Sequence, residues 1–136
     1  MTRGATHKSD IYSFGVVLFE ILCKRNAFVQ KDKNNDTFLV SLVKHHYENN
    51  NMREIMFQGV KLNEKALVTY SDIAYSCLNE DPTLRPSLER IVHRLEQALK
   101  EQRAMMTTVE DFERDKVITR RKRRKRTKHA LFSHNF

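Results

Sequence analysis

The sequence predicts an all-α fold, and two observations support that prediction. The 136 residues contain only three glycines and two prolines, too few for the many tight turns of an all-β sandwich. Apolar residues also recur at steps of three and four along several segments, which is the spacing of one helix face. The two cysteines exclude a disulfide scaffold, and neither has a companion at zinc-ligand spacing.

The first predicted helix is the apolar run Ile11–Leu22, with Ser9 and Asp10 as its capping residues. The run is apolar on nearly every face, which predicts a helix buried on all sides. It is long for a strand, the competing interpretation, and shorter than the roughly 20 apolar residues that cross a bilayer. Residues 1–10 are polar and show no secretory signal, so we expect a protein of a reducing compartment.

Three amphipathic helices are predicted downstream. Residues 26–36 are polar and without periodicity, which predicts a loop. Each of the three segments that follow carries a stripe of apolar residues and a residue suited to its first turn. The first segment ends at the asparagine run 49–51, and the second is broken by Pro82. The predicted first-turn residues are Asp36 or Thr37, Asn63 and Pro86.

A basic tail follows a near-neutral body. Residues 1–115 hold 16 basic and 17 acidic side chains, whereas residues 116–136 hold nine basic and no acidic ones. This shift predicts a body, 1–104, and a tail, 105–136, that is disordered because blocks of like charge usually are. Four hypotheses for the tail stay open: nuclear localisation, nucleic-acid backbone binding, attachment to anionic lipid, and a solvated tail without a dedicated partner. The basic run consists of Arg120, Arg121, Lys122, Arg123, Arg124, Lys125, Arg126 and Lys128.

No catalytic, cofactor-binding or metal-ligating residue is predicted in this chain. No serine or cysteine stands in a pattern with a base partner. The histidines His45, His46 and His93 lack the companion ligands of a metal set. Cys23 and Cys77 lie on apolar faces and are predicted to be buried, small hydrophobic residues.

Two motifs resemble a known family. The run Lys8–Leu22, KSDIYSFGVVLFEIL, is similar to the αF helix in the C-terminal lobe of eukaryotic protein kinases, in the version typical of plant receptor-like kinases. A second match resembles the family's link between its last two helices, αH and αI. The resemblance covers roughly residues 3–103 and implies a partial kinase C-lobe, αF–αI, with four main helices. The residues of the second match are Cys77, Asp81, Pro82, Arg85 and Pro86.

The resemblance implies a fragment of a Ser/Thr kinase of the receptor-like type. The family transfers phosphate from ATP, with Mg²⁺, to protein hydroxyls. The G-x-G-x-x-G, H-R-D and D-F-G segments that perform this chemistry are absent from the sequence, so we expect the chain alone to be non-catalytic, with Met1 an internal methionine of a longer kinase. Its expected partner is the N-terminal part of a kinase domain, and its expected place is the cytoplasmic side of the plasma membrane.

Two alternatives belong to other classes of protein. One is a non-catalytic interaction module that docks on other proteins through the αF–αI surface. The other is a small basic nuclear protein, whose tail binds an import receptor, nucleic acid or another anionic surface. For this chain on its own, the expected location is cytoplasmic or nuclear.

Two residues are predicted to be structural anchors. The resemblance implies that Asp10 accepts hydrogen bonds from the catalytic-loop backbone, and that Arg85 pairs with the glutamate of A-P-E. Neither partner occurs in this sequence, and a buried charge without its partner destabilises a fold. We therefore expect low stability of the isolated body and exposed apolar surface on it.

Overall fold

The computed structural model describes residues 3–25, 28–31 and 35–133, with side-chain surroundings for residues 7–25 and 38–130. Within these residues the helices account for most of the chain, which confirms the predicted all-α class. Two single 3₁₀ turns lie in the connections, at Met52–Glu54 and Pro82–Leu84. The helices are α1 (Arg3–Cys23), α2 (Leu39–Glu48), α3 (Glu64–Cys77) and α4 (Leu88–Ser133).

Helix α1 begins at Arg3, well before the predicted cap at Ser9 and Asp10. That cap prediction is wrong, because no proline interrupts the preceding residues and the helix continues through them. Ser9 lies inside the helix, where its carbonyl accepts a hydrogen bond from Ser13 Oγ at 3.2 Å. At the other end Lys24 takes a left-handed conformation, φ 51°, which terminates the helix.

The segment predicted as a loop contains a short β-hairpin. Strand β1 (Phe28–Lys31) pairs antiparallel with β2 (Asn35–Phe38), and Phe28 lies opposite Phe38. Four-residue strands are too short to show a periodic pattern, so the loop prediction missed them. The predicted caps of the second helix, Asp36 and Thr37, belong to β2, and α2 begins instead after Phe38 without a side-chain cap.

Helix α3 begins as predicted. The side chain of Asn63 accepts a hydrogen bond from the Lys65 N–H at 2.9 Å, which satisfies one of the free donors of the first turn. After α3 the chain turns at Pro82, where the Asp81 side chain accepts from the Thr83 N–H at 2.9 Å. These local bonds fix the connection that leads into α4.

Helix α4 departs from the prediction at both ends. It starts at Leu88, after Ser87, whose Oγ accepts a hydrogen bond from the Arg90 N–H at 3.2 Å, so Pro86 precedes the helix and is not in its first turn. The helix then runs through the basic segment to Ser133, so the predicted disorder of the tail is wrong. The physical reason is composition: residues 88–133 contain no glycine or proline and many strong helix formers.

The chain divides into two compact units, Met1–Glu101 and Gln102–Phe136. The predicted domain limits, 1–104 and 105–136, stay predictions. In the first unit, α1 packs against α2 and α3, and its buried residues form the centre of the core. Those side chains are Leu18, Phe19, Leu22 and Cys23, which meet Leu39, Val43, Leu67 and Leu78.

Candidate functional site

Lys8 and Arg85 join the start of α1 to the turn before α4. Lys8 Nζ donates a hydrogen bond to the Arg85 carbonyl at 2.8 Å, and Arg85 Nη1 donates to the Lys8 carbonyl at 2.9 Å. Arg85 Nε also donates to the Asn79 carbonyl at 2.8 Å, and its guanidinium lies 4.9 Å from the centre of the Tyr12 ring. We call this group of four residues the Lys8–Arg85 junction.

The junction changes the expectation for Arg85. A buried charge that lacks its glutamate was expected from the motif, but backbone carbonyls and an aromatic ring contact the half-buried guanidinium. Charge-assisted hydrogen bonds are stronger than neutral ones, so these contacts offset much of the desolvation. Asp10, the other predicted anchor, is exposed on α1. The sequence analysis missed Lys8 and Tyr12 as contributors, although both stand in the αF-like run.

Helix α1 is only partly covered, although its sequence is apolar on nearly every face. Leu18 and Phe19 are buried, at 5% and 1% exposure. The residues Phe14, Val17 and Ile21, spaced three and four apart, share a stripe with 37%, 43% and 66% of their surface exposed. We call them the exposed α1 stripe. The predicted apolar surface is therefore confirmed, and it is continuous along one helix face.

Gly15 sets the distance between α1 and α3. A Cβ added at this position would lie 2.6 Å from Cys77 Cβ and 3.1 Å from the Ala74 carbonyl oxygen. The two backbones approach so closely that a larger residue cannot fit without movement. Gly15 interrupts the apolar run Ile11–Leu22, and one sequence holds no signal that distinguishes a packing glycine from a tolerated one.

The two cysteines are buried, as predicted. Cys23 is 4% exposed, and Cys77 is fully buried. Burial raises the pKa of each thiol to about 11, so both are protonated and unreactive at neutral pH. Neither residue has the character of a nucleophile.

A cleft of about 490 Å³ lies between α2, the turn at Met52–Glu54 and α3. Tyr47 donates to Asp72 Oδ1 at 2.8 Å inside it, and burial, with this hydrogen bond, raises the pKa of Tyr47 to about 12. Ser71 also lines the cleft; its buried Oγ has no hydrogen-bond partner among the described residues. Because no base contacts that hydroxyl, Ser71 is not an activated nucleophile. The sequence analysis did not identify this cleft.

The described residues do not fit a metal–nucleotide site. No group of three His, Cys, Asp or Glu side chains gathers anywhere in residues that the structure describes. Glu80, after α3, forms an ion pair with Lys44 of α2. Lys44 lowers the pKa of Glu80, and Glu80 in turn raises the pKa of Lys44. We therefore assign no phosphoryl-transfer step to these residues.

All side chains of the basic run are exposed in the second unit. No residue from Arg120 to Lys128 takes part in a salt bridge within the part of the chain that the structure describes. Thr127, the single non-basic residue between Arg120 and Lys128, donates a hydrogen bond from its hydroxyl to the Arg123 carbonyl at 3.0 Å. The run is thus a solvated cationic helix segment.

The all-α fold of the described residues fits a partial kinase C-lobe, and comparison with known proteins gives the same family. The family model of protein tyrosine and serine/threonine kinases matches residues 1–95. This chain belongs to the protein kinase family. The resemblance drawn from the αF-like run and the Asp81–Pro86 segment is thereby confirmed.

Three of the relatives are named as plant receptor-like kinases. A probable LRR receptor-like serine/threonine-protein kinase of Arabidopsis thaliana is 36% identical over 93 residues, covering 67% of this chain and 10% of the relative. A LEAF RUST 10 disease-resistance locus receptor-like protein kinase-like protein of the same plant is 32% identical over 118 residues, 83% of this chain and 18% of the relative. The receptor-like protein kinase ANXUR1, also of Arabidopsis thaliana, is 36% identical over 96 residues, 69% of this chain and 11% of the relative.

The chain thus spans between a tenth and a fifth of the length of these relatives, as a fragment of a receptor-like Ser/Thr kinase does. Full-length family members use ATP and Mg²⁺. Among the helices that the structure describes, none combines the length and hydrophobicity needed to span a membrane.

Proposed function

We propose that this chain supplies the αF–αI part of a receptor-like Ser/Thr kinase and acts only together with the segments that bind ATP and Mg²⁺. The observation that carries the proposal is the exposed α1 stripe, formed by Phe14, Val17 and Ile21. In a family member, the αF-like helix is the buried centre of the C-lobe. The apolar stripe is the surface against which the rest of that lobe would pack.

The Lys8–Arg85 junction gives this helix a fixed position. It ties the N-terminal part of α1 to the turn before α4, so Asp10 is presented on a restrained helix. The family role of Asp10, which accepts hydrogen bonds from the catalytic-loop backbone, requires such a restrained and accessible carboxylate. The chain therefore positions the catalytic-loop backbone, and the residues that transfer phosphate belong to the partner segment.

The proposed partner is the N-terminal part of a kinase domain, and the proposed location is the cytoplasmic side of the plasma membrane. Names of the relatives describe receptor-like kinases, which supports this location. Protein serine and threonine hydroxyls are the proposed substrates of the assembled kinase, with ATP as phosphate donor.

A chimera tests the proposal. Residues 1–103 replace the matching part of the ANXUR1 kinase domain, and transfer of labelled phosphate to a generic protein substrate is measured. We expect transfer by the chimera and none by the chain alone. Val17→Asp in the stripe should abolish transfer, whereas Val92→Asp, at an equally exposed valine of α4, should preserve most of it. A chimera without activity, or equal effects of the two variants, would contradict the proposal.

A further inference from the structure

The helical structure distributes the cations of the basic run unevenly around the helix axis. Because α4 is helical through residue 133, each residue is rotated by about 100° from the one before. Arg121, Arg124 and Lys128 follow Val117 at steps of four, three and four, so these four residues lie on one stripe. Arg120 and Lys125 flank that stripe. Lys122, Arg123 and Arg126 lie on the other side of the helix.

Five of the eight cations therefore share the face that also presents Val117, a valine with 45% of its surface exposed. A flat surface can contact only one side of a helix. The side with five cations therefore offers such a surface more positive charge than the opposite side does. The segment from Thr119 to His129 has no apolar residue, so it suits adsorption at charged headgroups without insertion into the hydrocarbon. Aromatic residues for base stacking are likewise absent from this segment.

We propose that the Arg121, Arg124 and Lys128 face of α4 binds an anionic lipid surface. Clusters of four to eight basic residues near a membrane attract acidic headgroups, and the run has eight. Its side chains are exposed and are not used in salt bridges within the described residues. This binding goes beyond the proposed kinase function and depends only on the second unit, so either proposal can fail without the other.

The test compares two triple variants of the full chain that lose the same charge. One is Arg121→Gln, Arg124→Gln, Lys128→Gln on the proposed face, and the other is Lys122→Gln, Arg123→Gln, Arg126→Gln on the opposite face. Glutamine keeps helix propensity close to that of arginine and lysine, and circular dichroism at 222 nm verifies that the helix persists. Binding to vesicles of phosphatidylcholine with 30% phosphatidylserine is measured by flotation.

We expect binding of the parent chain at low salt, and its loss on pure phosphatidylcholine or at high salt. The face variant should bind about 100-fold more weakly and the opposite variant about tenfold or less, since each cation near the surface contributes about fivefold. No binding at low salt would overturn the proposal, and so would equal losses in the two variants. Tighter binding to a 16-bp DNA duplex than to vesicles would also overturn it and assign the run to nucleic acid.

Discussion

Lys8 and Arg85 are 77 residues apart in sequence, and each donates a hydrogen bond to the backbone carbonyl of the other. This reciprocal pair closes the first unit around α1. It needs no acidic side chain, because the carbonyls of Lys8 and Asn79 accept from the guanidinium. The pair explains how the arginine of the second sequence motif is accommodated in this chain.

Replacing Arg85 by methionine should lower the free energy of unfolding by about 2–3 kcal/mol, since bonds from a charged donor are lost while the carbonyls stay half-buried. Urea denaturation followed by circular dichroism measures the change. Arg90→Met, at an exposed arginine in the first turn of α4, serves as the control and should shift stability by less than about 0.5 kcal/mol. Similar shifts in both variants would refute the structural role of the junction.

Gly15→Ala should destabilise the first unit by about 1–2 kcal/mol. Alanine favours a helix by about 1 kcal/mol over glycine, but overpacking against Cys77 costs more, because the added Cβ would lie only 2.6 Å from Cys77 Cβ. The midpoint of urea unfolding gives the result. Ser13→Ala, on an exposed part of the same helix, should be nearly neutral. A more stable Gly15→Ala variant would show that the two helices are not in close contact.

The two sides of α1 should respond differently to truncation. Leu18→Ala should cost about 2–5 kcal/mol, because Leu18 is 5% exposed and its removal leaves a cavity. Ile21→Ala, at 66% exposure, should cost less than about 1 kcal/mol and reduce binding of an apolar dye. Denaturation and dye fluorescence of the isolated chain measure both effects. Equal destabilisation would mean that the exposed α1 stripe is covered in solution.

The hydrogen bond between Thr69 and Glu101 should make the stability of the folded state depend on pH. The hydroxyl of Thr69 donates to Glu101 Oε2 at 2.8 Å and is the main cause that lowers the pKa of this glutamate below its ordinary 4.5. A lowered carboxyl pKa stabilises the folded state above the ordinary value, and the stabilisation is lost as the pH falls through the folded pKa. Thr69→Val should therefore raise the pKa of Glu101, and the difference in stability from the parent should shrink at acid pH.

An NMR titration of the glutamate side-chain carbons measures that pKa directly. Thr119→Val is the control, because the Thr119 hydroxyl donates to the Asp115 carbonyl, at 2.9 Å, in the second unit. Thr119→Val should leave the titration of Glu101 unchanged. An unchanged Glu101 pKa in Thr69→Val would show that this hydrogen bond does not form in solution.

The long apolar patterns of the sequence predicted the helices, but the expected burial of α1 on all sides is wrong, because one side of this helix is exposed. The cap at Asn63 and the burial of Cys23 and Cys77 followed from local chemistry and periodicity. The start of α1 did not, because the polar residues before Ser9 continue the helix without an apolar pattern, and the hairpin at β1 and β2 did not, because its four-residue strands are too short to leave a periodic signal. Charge repulsion predicted disorder for the basic run, whereas helix propensity determined its structure.

The candidate site was predictable only in part. Arg85 was identified from its motif, but its partners Lys8 and Tyr12 come from distant positions and need the fold to be known, whereas Asn79 lies only six residues away. The division of α1 into a buried and an exposed side was likewise invisible, because both sides have the same apolar composition. Which side is covered depends on how many neighbouring helices are present.

The most direct test of the central claim uses a single new cysteine in the exposed α1 stripe. Ile21→Cys is alkylated by iodoacetamide at pH 8 in the chain alone and in the ANXUR1 chimera, with Val92→Cys as the exposed control. Cys23 and Cys77 contribute little, since burial raises each thiol pKa to about 11. The account predicts rapid labelling of Cys at position 21 in the chain alone and at least tenfold slower labelling in the chimera, with the control unchanged. Equal labelling of position 21 in both proteins would contradict the claim that the stripe packs inside a kinase C-lobe.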